Sequence, residues 1–285
     1  MATEAQLLGA QDIRALAAKL GVVPTKKLGQ NFVTDPNTIR RIVAAAKLTG
    51  QETVVEIGPG LGSLTLGLIE VANRVISVEI DGKMAAALQA TIDVRAPGAE
   101  FTLIHHDAMS VTNLGGAAPD ALVANLPYNI SVPVLLHFLE TFPSLQTGLV
   151  LVQAEVAHRL AAKPGNKVYG SPSAKLAWYA DAALAGNVGR SIFWPVPNVD
   201  SALVYFAKRA EPLGTEELRL ATWAVIDAAF GQRRKTLRQA LSVWAGTPAR
   251  AEEILTAAGI APQTRGEQLD VHQFVAIAKA GEAAA

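Results

Sequence analysis

Two clusters in this chain carry residue types that chemistry needs at fixed spacing. The first is Val54-Val55-Glu56-Ile57-Gly58-Pro59-Gly60-Leu61-Gly62, where an apolar run of strand length enters a glycine turn and then a helical pattern. Glycines at such a turn remove the Cβ atoms that would hold a ligand away from the backbone. Glu79 ends the next apolar run, 21 positions after Gly58, where a carboxylate can accept hydrogen bonds from both hydroxyls of a ribose. Glycine turn and acid together imply a nucleoside-bearing cofactor. A dinucleotide fingerprint wants its third glycine at the sixth position from Gly58, and that position is Ser63. The glycine comes one residue early instead, Pro59 stiffens the turn, and Glu56 puts an acid inside the strand. An NAD site and an empty structural turn stand as the alternatives.

The spacing Glu-x-Gly-x-Gly-x-Gly resembles motif I of the S-adenosylmethionine-dependent methyltransferases, whose cofactor has no pyrophosphate but carries an ammonium and a sulfonium. An acidic rim suits that cation. Asp107, just past the third strand, then stands where such enzymes hold the adenine amine. The second cluster, Leu122-Val123-Ala124-Asn125-Leu126-Pro127-Tyr128, sets an amide, a proline and an aromatic at the end of the fourth strand. The adenine exocyclic amine is a poor nucleophile because its lone pair is delocalised into the ring. An Asn side-chain oxygen and a backbone carbonyl can accept its two N–H bonds while the nitrogen pyramidalises in line with a methyl donor, and a tyrosine can stack on the base. The competing reading is a strand-end turn with Asn125 as a cap and Tyr128 in the core.

With both clusters in place, the chain resembles the ribosomal RNA adenine N6,N6-dimethyltransferases, most closely their bacterial small-subunit branch. The resemblance runs in order through Leu28 to Phe32, Glu56 to Gly62, Val78-Glu79, Asp107-Ala108, Asn125 to Ser131, Gln153 to Arg159, Phe193 to Ser201 and Ala229 to Leu237. It implies cofactor contacts from Asn31, Val33, Gly58, Gly60, Glu79, Ile80, Asp107, Ala108 and Asn125. Asn125, the Leu126 carbonyl, Pro127 and Tyr128 would handle the target amine, and Phe193 would close the other face of the base, unless it is a core aromatic. Arg233, Arg234, Lys235 and Arg238, on a basic helix expected over 233–244, would contact RNA phosphates, with an exposed helix face as the alternative. Lys26 and Lys27 would do likewise beside a cofactor lid. Val33, Val132 and Ser171-Pro172-Ser173 depart from the family pattern, the last putting that loop's conformation and any RNA contact in doubt. The implied partner is small-subunit ribosomal RNA within an immature 30S particle, with the protein a monomer and no metal or membrane involved. A noncatalytic ribosome-assembly factor and a large-subunit dimethyltransferase of the antibiotic-resistance type are the competing functions.

Elements must position these residues. Apolar runs at Thr53–Ile57, Val75–Ile80, Phe101–Ile104, Leu122–Ala124 and Leu149–Val152 alternate with helical patterns, the signature of a Rossmann-like α/β domain with a parallel sheet covered on both faces. Asp35 reads as a helix N-cap followed by Pro36. Further strands are expected at 183–188 and 201–207. Beyond Glu211-Pro212-Leu213-Gly214 every segment is helical, which predicts a methyltransferase domain over 1–210 and a smaller all-helical RNA-binding domain over 211–285. Of the 285 residues half are hydrophobic and 18% charged, enough for a large core and incompatible with a disordered chain. With no cysteine, disulfides and thiolate metal sites are excluded, and the five histidines show no ligand spacing. No apolar stretch is long enough to span a bilayer, and the opening residues lack the basic flank of a secretory signal, so a soluble cytoplasmic protein is expected. Net charge is zero, but residues 1–50 hold seven basic against three acidic groups and residues 205–240 seven against four. They form one phosphate-binding patch if the fold brings them together, and are two solvated faces otherwise.

Overall fold

The computed structural model describes residues 4–21 and 31–283; Lys26, Lys27 and the lid expected around them lie outside the described residues. The first helix, α1 (Ala10–Lys19), buries Ile13 and Ala17. A short strand β1 (Phe32–Val33) precedes α2 (Pro36–Ala45), whose start is the one expected: the Asp35 carboxylate accepts the backbone N–H groups of Asn37 and Thr38, with Pro36 in the first turn. The βα alternation then runs through β2 (Thr53–Ile57), α3 (Ser63–Ile69), β3 (Arg74–Glu79), α4 (Gly82–Arg95), β4 (Phe101–His105), β5 (Ala121–Asn125), α5 (Ser131–Thr141), β6 (Thr147–Gln153) and α6 (Ala154–Leu160). There follow α7 (Ser171–Tyr179), β7 (Ala180–Val188), β8 (Phe193–Trp194) and β9 (Ser201–Lys208).

Seven strands form one sheet in the order β4-β3-β2-β5-β6-β9-β7. From β4 to β6 all neighbours are parallel. β9 is not: it pairs antiparallel with β6, Ser201 opposite Gln153. The parallel sheet expected from the runs between residues 53 and 152 is present in β2 to β6, and β9, expected as a strand with no direction assigned, joins the edge antiparallel. Strand order reverses between β2 and β5, the switch point where open α/β sheets bind ligands at their strand carboxyl ends. The glycine turn leaves β2 there and the Asn-Leu-Pro-Tyr tip leaves β5. β2 shows how the sheet is specified: Val54, Val55 and Ile57 are buried, as both-side-covered strands require, and Glu56 is buried among them.

The chain divides into two compact units, one up to Ala157 together with Leu184–Ala207, the other His158–Ala183 with Lys208–Ala285. The second unit carries α8 (Glu216–Gly231), α9 (Leu237–Ala240), α10 (Pro248–Ala257) and α11 (Val271–Ala283). Ser171-Pro172-Ser173, doubtful in sequence, is the first turn of α7. The long basic helix expected over 233–244 is absent. Residues 232–235 form a turn, and α9 is a single helical turn. The reason is tertiary: the Leu237 and Arg238 N–H groups donate to the carbonyls of Thr264 and Pro262, at 2.7 and 3.1 Å, so donors that a continuing helix would use internally go to another segment.

Candidate active site

A cavity of about 230 Å³ opens at the switch point of the sheet. Three glycines make its floor possible. Gly58, Gly60 and Gly62 have φ of 65°, 57° and 94°, left-handed conformations that side chains resist, and a Cβ at Gly60 would stand 2.9 Å from Phe32 Cε1. Glu79 fastens the turn: one carboxylate oxygen accepts the Gly60 N–H at 3.1 Å and the other the Asp81 N–H at 3.0 Å. Burial raises its pKa, against those backbone bonds. A carboxylate offers about four lone-pair sites, so acceptor capacity remains for a ribose diol.

Glu56 lies deeper, 1% exposed, on the cavity wall. One of its oxygens accepts both the Thr65 hydroxyl at 2.7 Å and the Ser77 hydroxyl at 2.9 Å. Burial pushes its pKa up to about 7, those hydroxyls oppose the rise, and Glu79 adds to it. On the rim Ile80 is 63% exposed, a bare apolar face, beside exposed Asp107 and buried Ala108. Asn31 and Val33 complete this side of the wall.

The Asn-Leu-Pro-Tyr tip forms the other side, and Asn125, Leu126, Pro127 and Tyr128 all line the cavity. The two clusters meet directly: a Cβ at Gly58 would lie 3.7 Å from Pro127 Cδ. Asn125 Nδ2 donates to the Asn31 carbonyl at 3.0 Å, which fixes the amide and leaves its oxygen as an acceptor. The Leu126 N–H donates to the Leu151 carbonyl of β6 at 3.0 Å. The Tyr128 hydroxyl bonds the Ser201 hydroxyl at 2.8 Å, and burial raises its pKa.

Phe193 departs from this grouping. It is 2% exposed and off the cavity wall, in a two-stranded ribbon that pairs it with Val33. Sequence reasoning passed over Ser63, whose hydroxyl is buried on the wall without a hydrogen-bond partner among the described residues. It entered there only as a mismatch to the dinucleotide pattern. An orphan hydroxyl, two buried acids and a glycine turn fit an adenosyl cofactor bearing a cationic tail, because each supplies what that molecule's polar groups and charge require.

The profile of the ribosomal RNA adenine dimethylases matches residues 24–282. The chain belongs to that family. A ribosomal RNA small subunit methyltransferase A of Streptomyces griseus is 62% identical over 275 residues, covering 96% of this chain and 94% of its own. The enzyme of that name from Leifsonia xyli is 58% identical over 277 residues, covering 96% and 99%. Among solved structures, a dimethyladenosine transferase from Plasmodium falciparum superposes with a TM-score of 0.73 at 23% identity, covering 86% of this chain and 95% of its own. The 23S rRNA methyltransferase ErmE does so at 0.65 and 26%, covering 88% and 100%. The adenine dimethylase fold is thus a Rossmann-like sheet with helices, and the chemistry is S-adenosylmethionine-dependent methylation.

In this member of the dimethylase family the four basic residues of the helical segment divide. Arg233 is committed internally, its guanidinium donating to Glu267 at 2.9 Å and to the Lys167 carbonyl. Arg238 bonds Glu252 at 2.6 Å. Arg234 and Lys235 are exposed and make no ion pair among the described residues.

Proposed function

We propose that this protein transfers methyl groups to the N6 amines of two adjacent adenosines in a hairpin loop of small-subunit ribosomal RNA, two on each. The observation that carries the reading is the meeting of glycine turn and Asn-Leu-Pro-Tyr tip on one cavity, with the Asn125 amide fixed by the Asn31 carbonyl. S-adenosylmethionine, when bound, supplies the methyl on its sulfonium. Glu79 would hold the ribose, Asp107 the adenine amine and Ile80 an adenine face, while Glu56 offsets positive charge from the buried side. Asn125 Oδ1 and the Leu126 carbonyl accept the two N–H bonds of the target amine and favour a pyramidal nitrogen. Tyr128 stacks on the base, and Phe193 stiffens the wall through its pairing with Val33. Held by Asn125 and Leu126, the target nitrogen would take the methyl in line from a donor that would keep the electron pair of the broken bond, and the ammonium so formed would release its proton to water. The second round needs room for one methyl already on the nitrogen.

A loop target suits the chemistry, because taking an unpaired base out of its stack costs only a few kcal/mol. Residues 211–285 form the RNA-binding part, with Arg234 and Lys235 free to meet phosphates and Lys26 and Lys27 supplying further positive charge. The substrate is an immature 30S particle in the cytoplasm, and the protein acts as a monomer. The test is incubation of labelled cofactor with small subunits from cells that lack dimethyladenosine and, separately, with large subunits, followed by mass analysis of the labelled loop. Label on large subunits instead would favour the reading suggested by likeness to ErmE. Asn125→Ala should lower transfer at least about a hundredfold, as loss of a preorganised hydrogen-bonding group does, while particle binding persists. Unchanged transfer in that variant would overturn the assignment.

A further inference from the structure

Ser201 opens β9 directly opposite the last residue of β6, Gln153, and is completely buried. The residues that follow it, Ala202, Leu203 and Val204, are buried too and apolar. A hydroxyl in such a place costs desolvation free energy unless it is matched. Among the described residues its match is the Tyr128 hydroxyl, 2.8 Å away. The backbone around Ser201 is held as well, since the Ala154 N–H donates to the Asp200 carbonyl at 2.9 Å. Tyr128 itself is half-buried, on the cavity wall. Its tip is anchored at Asn125 by the Asn31 carbonyl and at Leu126 by Leu151, but neither bond restrains the tyrosine ring. The hydroxyl pair does, because it ties the far end of the ring to a rigid strand.

Resting on the function proposed above, we infer that Ser201 is a positioning residue for methyl transfer: its hydroxyl holds the Tyr128 ring in the plane on which the target adenine stacks. Ser201 touches neither cofactor nor base. Its effect passes through Tyr128, so it acts on the alignment of the amine with the methyl donor and not on cofactor capture. A misaligned base loses rate steeply even when it still binds.

Three variants test this on small subunits lacking dimethyladenosine: Ser201→Ala, Tyr128→Phe, and the two combined. Tyr128→Phe keeps the ring and removes only the tether. Each single variant should lower kcat roughly five- to tenfold, the worth of one neutral hydrogen bond, with KM for the cofactor unchanged. The double variant should be no slower than the slower single, because both remove the same bond. A hairpin carrying 2-aminopurine at the target position should show weaker stacking quench with Ser201→Ala than with the unaltered protein. If Ser201→Ala does not fold, Tyr128→Phe carries the test alone with the same expected loss. Unchanged kcat, multiplying losses in the double variant, or an unaltered quench overturns the inference while the function stands. Absence of adenosine methylation by the unaltered protein overturns the function and this inference with it.

Discussion

A carboxylate inside a parallel strand is costly, and Glu56 shows what offsets the cost. The Thr65 and Ser77 hydroxyls bond one of its oxygens, yet burial dominates and the pKa rises to about 7 from 4.5. For an acid so raised, the folded state binds the proton more tightly than the unfolded chain. Its contribution to stability is therefore full below about pH 4.5 and is lost as pH climbs through about 7. With about 1.4 kcal/mol for each pKa unit, the loss has a ceiling of about 4 kcal/mol. Glu56→Gln, which keeps an oxygen for both hydroxyls, should melt higher than the unaltered protein at pH 8 without cofactor and nearly alike at pH 4.5. Thermal melts across that range check it, and parallel curves at both pH values would refute it. The same variant should bind S-adenosylmethionine less tightly at pH 8. Glu56 could be read as an acid in a strand from its flanking valine and isoleucine. That it shares a wall with Glu79 and an orphan Ser63 could not, since those residues meet only through the crossing of β2, β3 and α3.

Elements reach their places by close approach, and Gly67 is the clearest case. A Cβ there would stand 2.4 Å from Ile39 Cγ2 and 3.2 Å from Val43 Cγ2, both buried on α2. Alanine would gain about 1 kcal/mol of helix propensity, but forcing a methyl into a filled space costs typically about 1–3 kcal/mol and sometimes more. Gly67→Ala is expected to destabilise by about 1–2 kcal/mol, measured as a lower denaturation midpoint with unchanged slope. A stabilised variant would show that α2 yields. Periodicity and caps made most elements legible, α2 with its Asp35 cap above all. The failure at 233–244 has the same physical root as Gly67: tertiary partners override local preference, here the Thr264 and Pro262 carbonyls taking donors a helix would keep.

Across the whole molecule net charge is zero, so RNA affinity must come from local groups. The exposed pair Arg234 and Lys235 is the part of the basic segment without internal partners among the described residues. Replacing both with Ala should lower the slope of log affinity against log salt by about two, one for each phosphate left without its cation, with cofactor binding unchanged. Arg233→Ala should instead lower the melting temperature and leave the slope nearly intact, because its guanidinium holds Glu267 and the Lys167 carbonyl. Filter binding over a salt series separates the two; an equal fall in slope would mean that Arg233 leaves its partners for RNA. By itself the sequence determined the Rossmann-like class, the glycine turn with its acid and the Asn-Leu-Pro-Tyr tip, because these depend on residue type and short spacing. Only the tertiary structure decided that β9 runs antiparallel, that Phe193 pairs with Val33 off the cavity wall, that Tyr128 is tied to Ser201, and that two of the four arginines and lysines are already spoken for. Each of those depends on which distant segment arrives beside the residue, and a hydrogen bond or an ion pair of 2.6–2.9 Å is decided by that arrival.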